Sequence, residues 1–242
     1  MPFTFSHPAI VLPLSCLPKR WFSCTGLIIG SMTPDFEYFI RMKIKSEVGH
    51  TLIGLIGFNL PLGIILAFVF HNIVRNTLFD QLPECLQSRF YPYRQLDWTS
   101  YFTQKWLVVL ISISIGTLSH IFWDGFTHIN GYFVTLIPIL QQTTIVFGKQ
   151  FYVSNILQHV STVLGALAIF FAIYKMPMHP NVSKTVHRKY WSFFLVSTLF
   201  IVGIRFSIGI NFSRYGDVIV SCIGASLLSL VITSLFVKRK II

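Results

Sequence analysis

Long apolar blocks alternate with short polar connections along this chain. Leu52 to Phe70, Trp106 to Trp123, Phe151 to Tyr174, Trp191 to Ile210 and Val218 to Val237 each fall within the roughly 17–25 residues that a helix needs to cross the hydrocarbon core of a bilayer. Pro61 and Gly63 mark a position for a kink in the first of them. Two further apolar stretches are interrupted: Phe22 to Ile40 by Gly26, Gly30 and Thr33-Pro34-Asp35, and Tyr132 to Phe147 by Pro138 and Gln141-Gln142-Thr143-Thr144. A proline and a carboxylate do not suit a simple span, and irregular backbone at membrane depth needs protein or water around it. Both stretches are expected to be broken, re-entrant or interfacial.

The connections complete the outline. Ser6 is the expected N-cap of a short helix with Pro8 in its first turn, which places His7 at a helix mouth. Asn72 to Lys105 reads as a polar loop with short helices, and Lys175 to Lys189 as a basic loop. The pattern predicts an all-α, polytopic membrane protein with about five spans plus broken or interfacial helices. One integral domain over residues 1–242 is expected, with residues 1–50 as an N-terminal segment that contributes to a site, and with 72–105 and 175–190 as its polar and basic loops.

Composition agrees with a membrane chain. Of the 242 residues, 53% are hydrophobic and 11% charged, with a mean hydropathy of +0.67, too apolar for an ordinary soluble domain. The formal charge of +11 could suggest nucleic acid. The Lys and Arg residues instead form short groups between apolar runs, so membrane lipids are expected as partners and nucleic acid is not. By the positive-inside rule, a cytoplasmic Lys238-Arg239-Lys240 also places the 175–189 and 72–105 loops inside. The starts of the spans at Leu52 and Phe151, and residues 124–150, then share the opposite face. Cys16, Cys24, Cys85 and Cys222 are scattered, without the spacing of a disulfide framework or a cysteine zinc site. The N-terminal stretch lacks the pattern of a cleaved signal peptide and is expected to stay on the mature chain.

Chemistry concentrates in Leu118-Ser119-His120-Ile121-Phe122-Trp123-Asp124-Gly125-Phe126-Thr127-His128. An ionisable residue in or beside a span costs on the order of 2.5–3.5 kcal/mol on insertion scales. Residues at i and i+4 share a helix face, so His120 and Asp124 could ligate one divalent metal ion. A regular helix would carry His128 about 12 Å from His120 along the axis, so it is expected to join only if the helix unwinds at Gly125. His50 and His159 lie at the same face by span parity, His159 as a ligand or as a group that orients one. His71 would lie about 30 Å from His50 on a continuous helix, and His179 and His187 belong to the basic loop, so these three are not expected at the site. The bland reading of any single histidine is a hydrogen-bonded helix end.

Thr4-Phe5-Ser6-His7-Pro8, Gly30-Ser31-Met32-Thr33-Pro34-Asp35, Gly49-His50-Thr51 and Ser119 through His128, in this order, resemble an uncharacterised family of bacterial polytopic membrane proteins, a domain of unknown function that opens on this Thr-Phe-Ser-His-Pro segment. The resemblance covers nearly the whole chain and implies a multi-pass protein of the bacterial inner membrane. More distantly, an N-terminal His, a Pro-Asp, a following His and a His-x-x-x-Asp are similar to membrane-bound metal-dependent hydrolases and to zinc-dependent phospholipase C. That similarity implies His7, Asp35, His50, His120, Asp124 and His128 as ligands of a divalent metal, with zinc expected. The His-x-x-x-Glu pair of the phospholipase has no counterpart, since Val163 stands four residues after His159. The resulting expectation is a metal-dependent hydrolase of a lipid or envelope (phospho)ester, with Asp35 or Asp124 as ligand or general base. The alternative is a non-catalytic membrane protein whose His/Asp cluster is structural or carries an ion or proton.

Overall fold

The computed structural model describes residues 3–18, 20–180, 188–210 and 212–237. It is built almost wholly of helices: α1 (Pro8–Ser15), α2 (Cys24–Gly30), α3 (Thr33–Arg41), α4 (Leu52–Phe79), α5 (Glu84–Phe90), α6 (Trp98–Thr127), α7 (Tyr132–Leu136), α8 (Pro138–Gln141), α9 (Val153–Tyr174), α10 (Arg188–Ser207) and α11 (Tyr215–Phe236). A hairpin of β1 (Thr143–Val146) and β2 (Lys149–Tyr152) interrupts them. Among the described residues, five helical stretches are long and apolar enough to cross a membrane: Leu52–Phe79, Trp98–Leu136, Val153–Tyr174, Arg188–Ser207 and Tyr215–Phe236. The chain is thus all-α with the character of a multi-pass membrane protein. It forms two compact units, one of Met1–Pro34, Val48–Ile64 and Trp106–Lys175, the other of Asp35–Glu47, Ile65–Lys105 and Met176–Ile242.

In the first unit, α2 and α6 meet backbone to backbone. A Cβ on Gly30 would lie 2.2 Å from the Ile113 carbonyl oxygen, and one on Gly116 would lie 2.4 Å from that of Leu27. This contact lets short polar side chains bond across. Ser112 Oγ accepts from the Ser23 amide at 2.8 Å, and Thr117 Oγ1 donates to the Gly30 carbonyl at 3.2 Å. Such small-residue contacts and interhelical hydrogen bonds join helices where lipid removes the hydrophobic drive between them. The expected break in Phe22 to Ile40 falls at Ser31 and Met32, between α2 and α3.

Ser6 does not cap α1. Its hydroxyl donates instead to the Thr162 carbonyl on α9 at 2.9 Å, and His7 itself occupies the cap position. The expected kink at Pro61 takes the form of a wide π turn over Leu55–Asn59, closed by the Leu60 amide on the Leu55 carbonyl. Proline has no N–H for the usual i−4 bond, and this turn absorbs the mismatch just before it. The stretch Tyr132 to Phe147 is interrupted at Ile137 and Gln142, between α7, α8 and β1. The chain turns at Phe147 and Gly148, with φ of 50° and 75°, into the two-residue hairpin, the left-handed pair such a tight turn requires.

In the second unit α4 runs past Phe70 to Phe79, and the first residues of the expected polar loop are helical. Arg75 makes this affordable: it is buried, and its guanidinium donates to the Leu96 and Arg94 carbonyls at 2.9 and 3.1 Å. His71 lies beside it and stacks on buried Trp98 with ring centroids 4.4 Å apart. Lys105, with φ −130° and ψ 26°, breaks α6 where the span was expected to begin. The turn after α3 is tied to α11, where Asp217 accepts from the Ile44 amide at 2.7 Å and Ser221 Oγ donates to the Met42 carbonyl at 2.9 Å. Beside it, the exposed Glu47 carboxyl is held below its ordinary range by Lys45 and Arg41. His179 is half-buried, its amide donating to the Ser88 carbonyl at 3.1 Å, whereas His187 and Lys238-Arg239-Lys240 lie outside the described residues.

Gly116→Val is expected to force α2 and α6 apart, destabilising the protein by about 1–3 kcal/mol, the usual cost of overpacking. A lowered thermal midpoint of the detergent-purified protein is the measurement; an unchanged midpoint would contradict the close contact.

Candidate metal centre

The cluster is assembled by three segments of the first unit around one carboxylate. Asp124 is buried on the last turns of α6, and His120 sits one turn before it with no exposure at all. His7 enters from the mouth of α1, His50 from the loop before α4, and His128 from the residue that ends α6. Their nearest ring nitrogens lie 3.6 Å (His7), 3.5 Å (His50), 3.4 Å (His120) and 3.7 Å (His128) from the Asp124 carboxylate. The His7 and His120 rings stack at 3.7 Å between centroids, and His50 meets His120 edge to face at 5.4 Å.

One contact orders the ligand chemistry. His120 Nδ1 lies 2.7 Å from the Ser31 carbonyl. A carbonyl only accepts, so Nδ1 carries the proton and, in neutral imidazole, the lone pair stands on Nε2, which faces Asp124 Oδ2 at 3.4 Å. An acceptor then faces an acceptor. Metal-ligating histidines have this arrangement, with the far nitrogen donating to a carbonyl that sets tautomer and ring angle. The separations fit a cation as well. They exceed the usual N–H···O range of about 2.7–3.2 Å, whereas bonds of about 2.0–2.2 Å to a tetrahedral ion set ligand atoms roughly 3.3–3.6 Å apart. One ligand atom each of His50, His120 and Asp124 lies within 4.8 Å of the others. Asp124 Oδ1 is buried and accepts no hydrogen bond among the described residues. The buried His/Asp cluster can hold a metal ion.

His128 does not need Gly125 to unwind. The helix stays regular through that residue, and the Phe133 ring packs over Gly125. His128 reaches Asp124 because it stands four residues after it, and its Nδ1 bonds the Asp124 carbonyl at 3.1 Å. That contact protonates Nδ1, so in this arrangement His128 backs the carboxylate. Asp35 is fully buried in the first turn of α3, directly after Pro34. His159 is exposed on α9.

Asn59, which the sequence did not single out, supports the loop that carries His50. It is fully buried in the π turn of α4, and its side-chain amide donates to the Gly49 carbonyl at 2.7 Å. Thr51 caps the start of α4 on the Gly54 amide, and a Cβ on Gly54 would lie 1.8 Å from the Val48 carbonyl oxygen. These contacts hold the Val48–Thr51 loop against the helix and so fix His50. An Asn in an apolar run two residues before Pro61 was the available signal.

The chain belongs to the family described as a domain of unknown function (DUF4184), which matches residues 1–235. No curated protein and no solved structure matches the chain.

Asn59→Leu is expected to leave the Gly49 carbonyl without its donor, costing about 1–3 kcal/mol as for a buried polar group left unpaired. Hydrogen exchange should rise over residues 48–54 and stay unchanged over 112–124; equal protection in both segments would remove Asn59 from the site.

Proposed function

From a family whose function is unknown no activity can be carried over, and we propose from the site itself that the protein is a membrane-bound, metal-dependent hydrolase of a lipid or envelope (phospho)ester. The observation that carries this reading is the His120 Nε2 lone pair aimed at a carboxylate oxygen 3.4 Å away. The proposed ligands of a divalent metal, zinc by its preference for imidazole and carboxylate, are His50, His120 and one of the carboxylates Asp124 and Asp35. His7 and His128 flank Asp124, and His159 is the outlying candidate. When bound, such an ion supplies Lewis acidity toward a phosphoryl or carbonyl oxygen and toward the attacking water.

The chain's own residues supply the rest. Ser31 holds the His120 ring, Asn59 holds the His50 loop, and His128 holds the main chain of Asp124. Whichever of Asp35 and Asp124 is not engaged as a ligand takes the proton of the attacking water as general base. His7, packed flat on His120 and 3.6 Å from Asp124, is a further candidate ligand. The membrane is proposed to be the bacterial inner membrane, with a cytoplasmic C-terminus and the cluster toward the external face. A fluorescent or alkaline-phosphatase fusion after Lys240 tests that orientation, and alkaline-phosphatase activity there would reverse it.

Protein expressed with supplemented zinc is expected to retain metal stoichiometrically through purification in detergent. His120→Ala and Asp124→Ala should lose it, and wild type should hydrolyse a phosphodiester or lipid ester that chelation stops. Metal-free wild type would overturn the metal site; retained metal without turnover would overturn the hydrolase.

A further inference from the structure

We propose that the cleft beside His7 is a subsite for one hydrocarbon chain of a lipid. The cleft, of about 280 Å³, is formed within the first unit by Ile10 of α1, Trp123 of α6 and Leu164, Gly165 and Ala168 of α9, with His7 in its wall. Apart from His7 and two serines its lining is apolar. His7 is the residue shared with the carboxylate cluster, since it is among the residues that line the cleft while its buried ring stacks on His120 and stands 3.6 Å from Asp124. A chain lying in the cleft therefore ends beside the polar centre.

The shape of the cleft follows from small residues at a fixed contact. The Phe3 amide donates to Thr162 Oγ1 at 3.0 Å and the Ser6 hydroxyl to the Thr162 carbonyl, pinning the start of the chain to α9. A Cβ on Gly165 would lie 2.8 Å from the Ser6 carbonyl oxygen. One turn on, Ala168 fills little of the space between α9 and α1, and Ile10 and Leu164 stand exposed along the edges. Because α9 is long and apolar enough to cross a membrane, its open side meets acyl chains as the surrounding apolar species. The trough takes the hydrocarbon chain, and the ester or head group lies at its His7 end. The role of the cluster at its end rests on the hydrolase reading, whereas occupancy of the cleft does not require metal.

The test uses the full chain in detergent and a long-chain fatty acid carrying a photoreactive diazirine, with labelled peptides mapped by mass spectrometry. Labelling should concentrate on the segments holding Ile10, Trp123 and Leu164 and be displaced by an unlabelled long-chain acid but not by butyrate. Ala168→Trp should reduce it about tenfold, the factor that corresponds to losing the burial of one to two methylene groups. Leu199→Trp, on an exposed position of α10, should leave it unchanged, and both variants should keep the wild-type zinc content. Labelling spread evenly over exposed apolar faces, or unaffected by Ala168→Trp, would overturn the subsite, as would a cross-linked dimer joined through the cleft. Loss of zinc from wild type with cleft labelling intact would overturn the hydrolase reading alone.

Discussion

The bond from His120 Nδ1 to the Ser31 carbonyl exists only because α2 and α6 touch main chain to main chain. Along α6, Ser112, Gly116, Thr117 and His120 share one face, and three of these side chains bond to α2, to its cap residue Ser23 or to the turn that follows it. The glycine in that row is what permits the other three to reach. Were α2 set back by the thickness of a side chain, His120 would lose its carbonyl partner and its ring would be free to turn. The His7 ring rests on the His120 ring, and Asp124 stands on the next turn, so both inherit their places from this contact. Packing between two helices thereby decides which nitrogen of one imidazole offers a lone pair.

Much of this was legible because membrane chemistry penalises the residues that matter. His120 and Asp124 stand out in an apolar run, their spacing puts them on one face, and Thr33-Pro34-Asp35 cannot continue a span, so the break between α2 and α3 follows from the residue types alone. His7 was legible as a helix mouth, but its stacking on His120 comes from α1 meeting the other helices, a long-range contact that no local period encodes. The π turn at Leu55–Asn59 was hidden for another reason. Proline signals a disturbed helix, yet whether the disturbance is a kink or a wide turn depends on partners such as the Gly49 carbonyl, ten residues back. The start of the expected 72–105 loop, where Arg75 stands, misled in the opposite sense. A charge after an apolar run reads as the end of a span, whereas here two carbonyls take up the guanidinium and the helix continues. His128 was measured from the wrong neighbour, for its distance from His120 matters less than its place one turn beyond Asp124.

Arg75 also supplies a standard against which the Asp124 cluster can be judged. Both are ionisable groups buried in long apolar helices, and both gather polar neighbours. Around Arg75 the neighbours close to hydrogen-bonding distance: His71 Nδ1 at 2.9 Å, the Leu96 carbonyl at 2.9 Å, Asn76 Oδ1 at 3.0 Å and the Arg94 carbonyl at 3.1 Å. That is how a charge is accommodated when the purpose is structural, because in a low dielectric every unmade bond is costly. Around Asp124 the four imidazoles stop at 3.4 to 3.7 Å. An imidazolium paired with the carboxylate would close to about 2.7–2.9 Å, and a neutral His120 offers it a lone pair. The packing that could have drawn these rings in has instead fixed His120 through Ser31 and His50 through the Asn59-held loop. Side chains held apart by their own supports, with lone pair and carboxylate facing each other, leave a separation that a small cation fits.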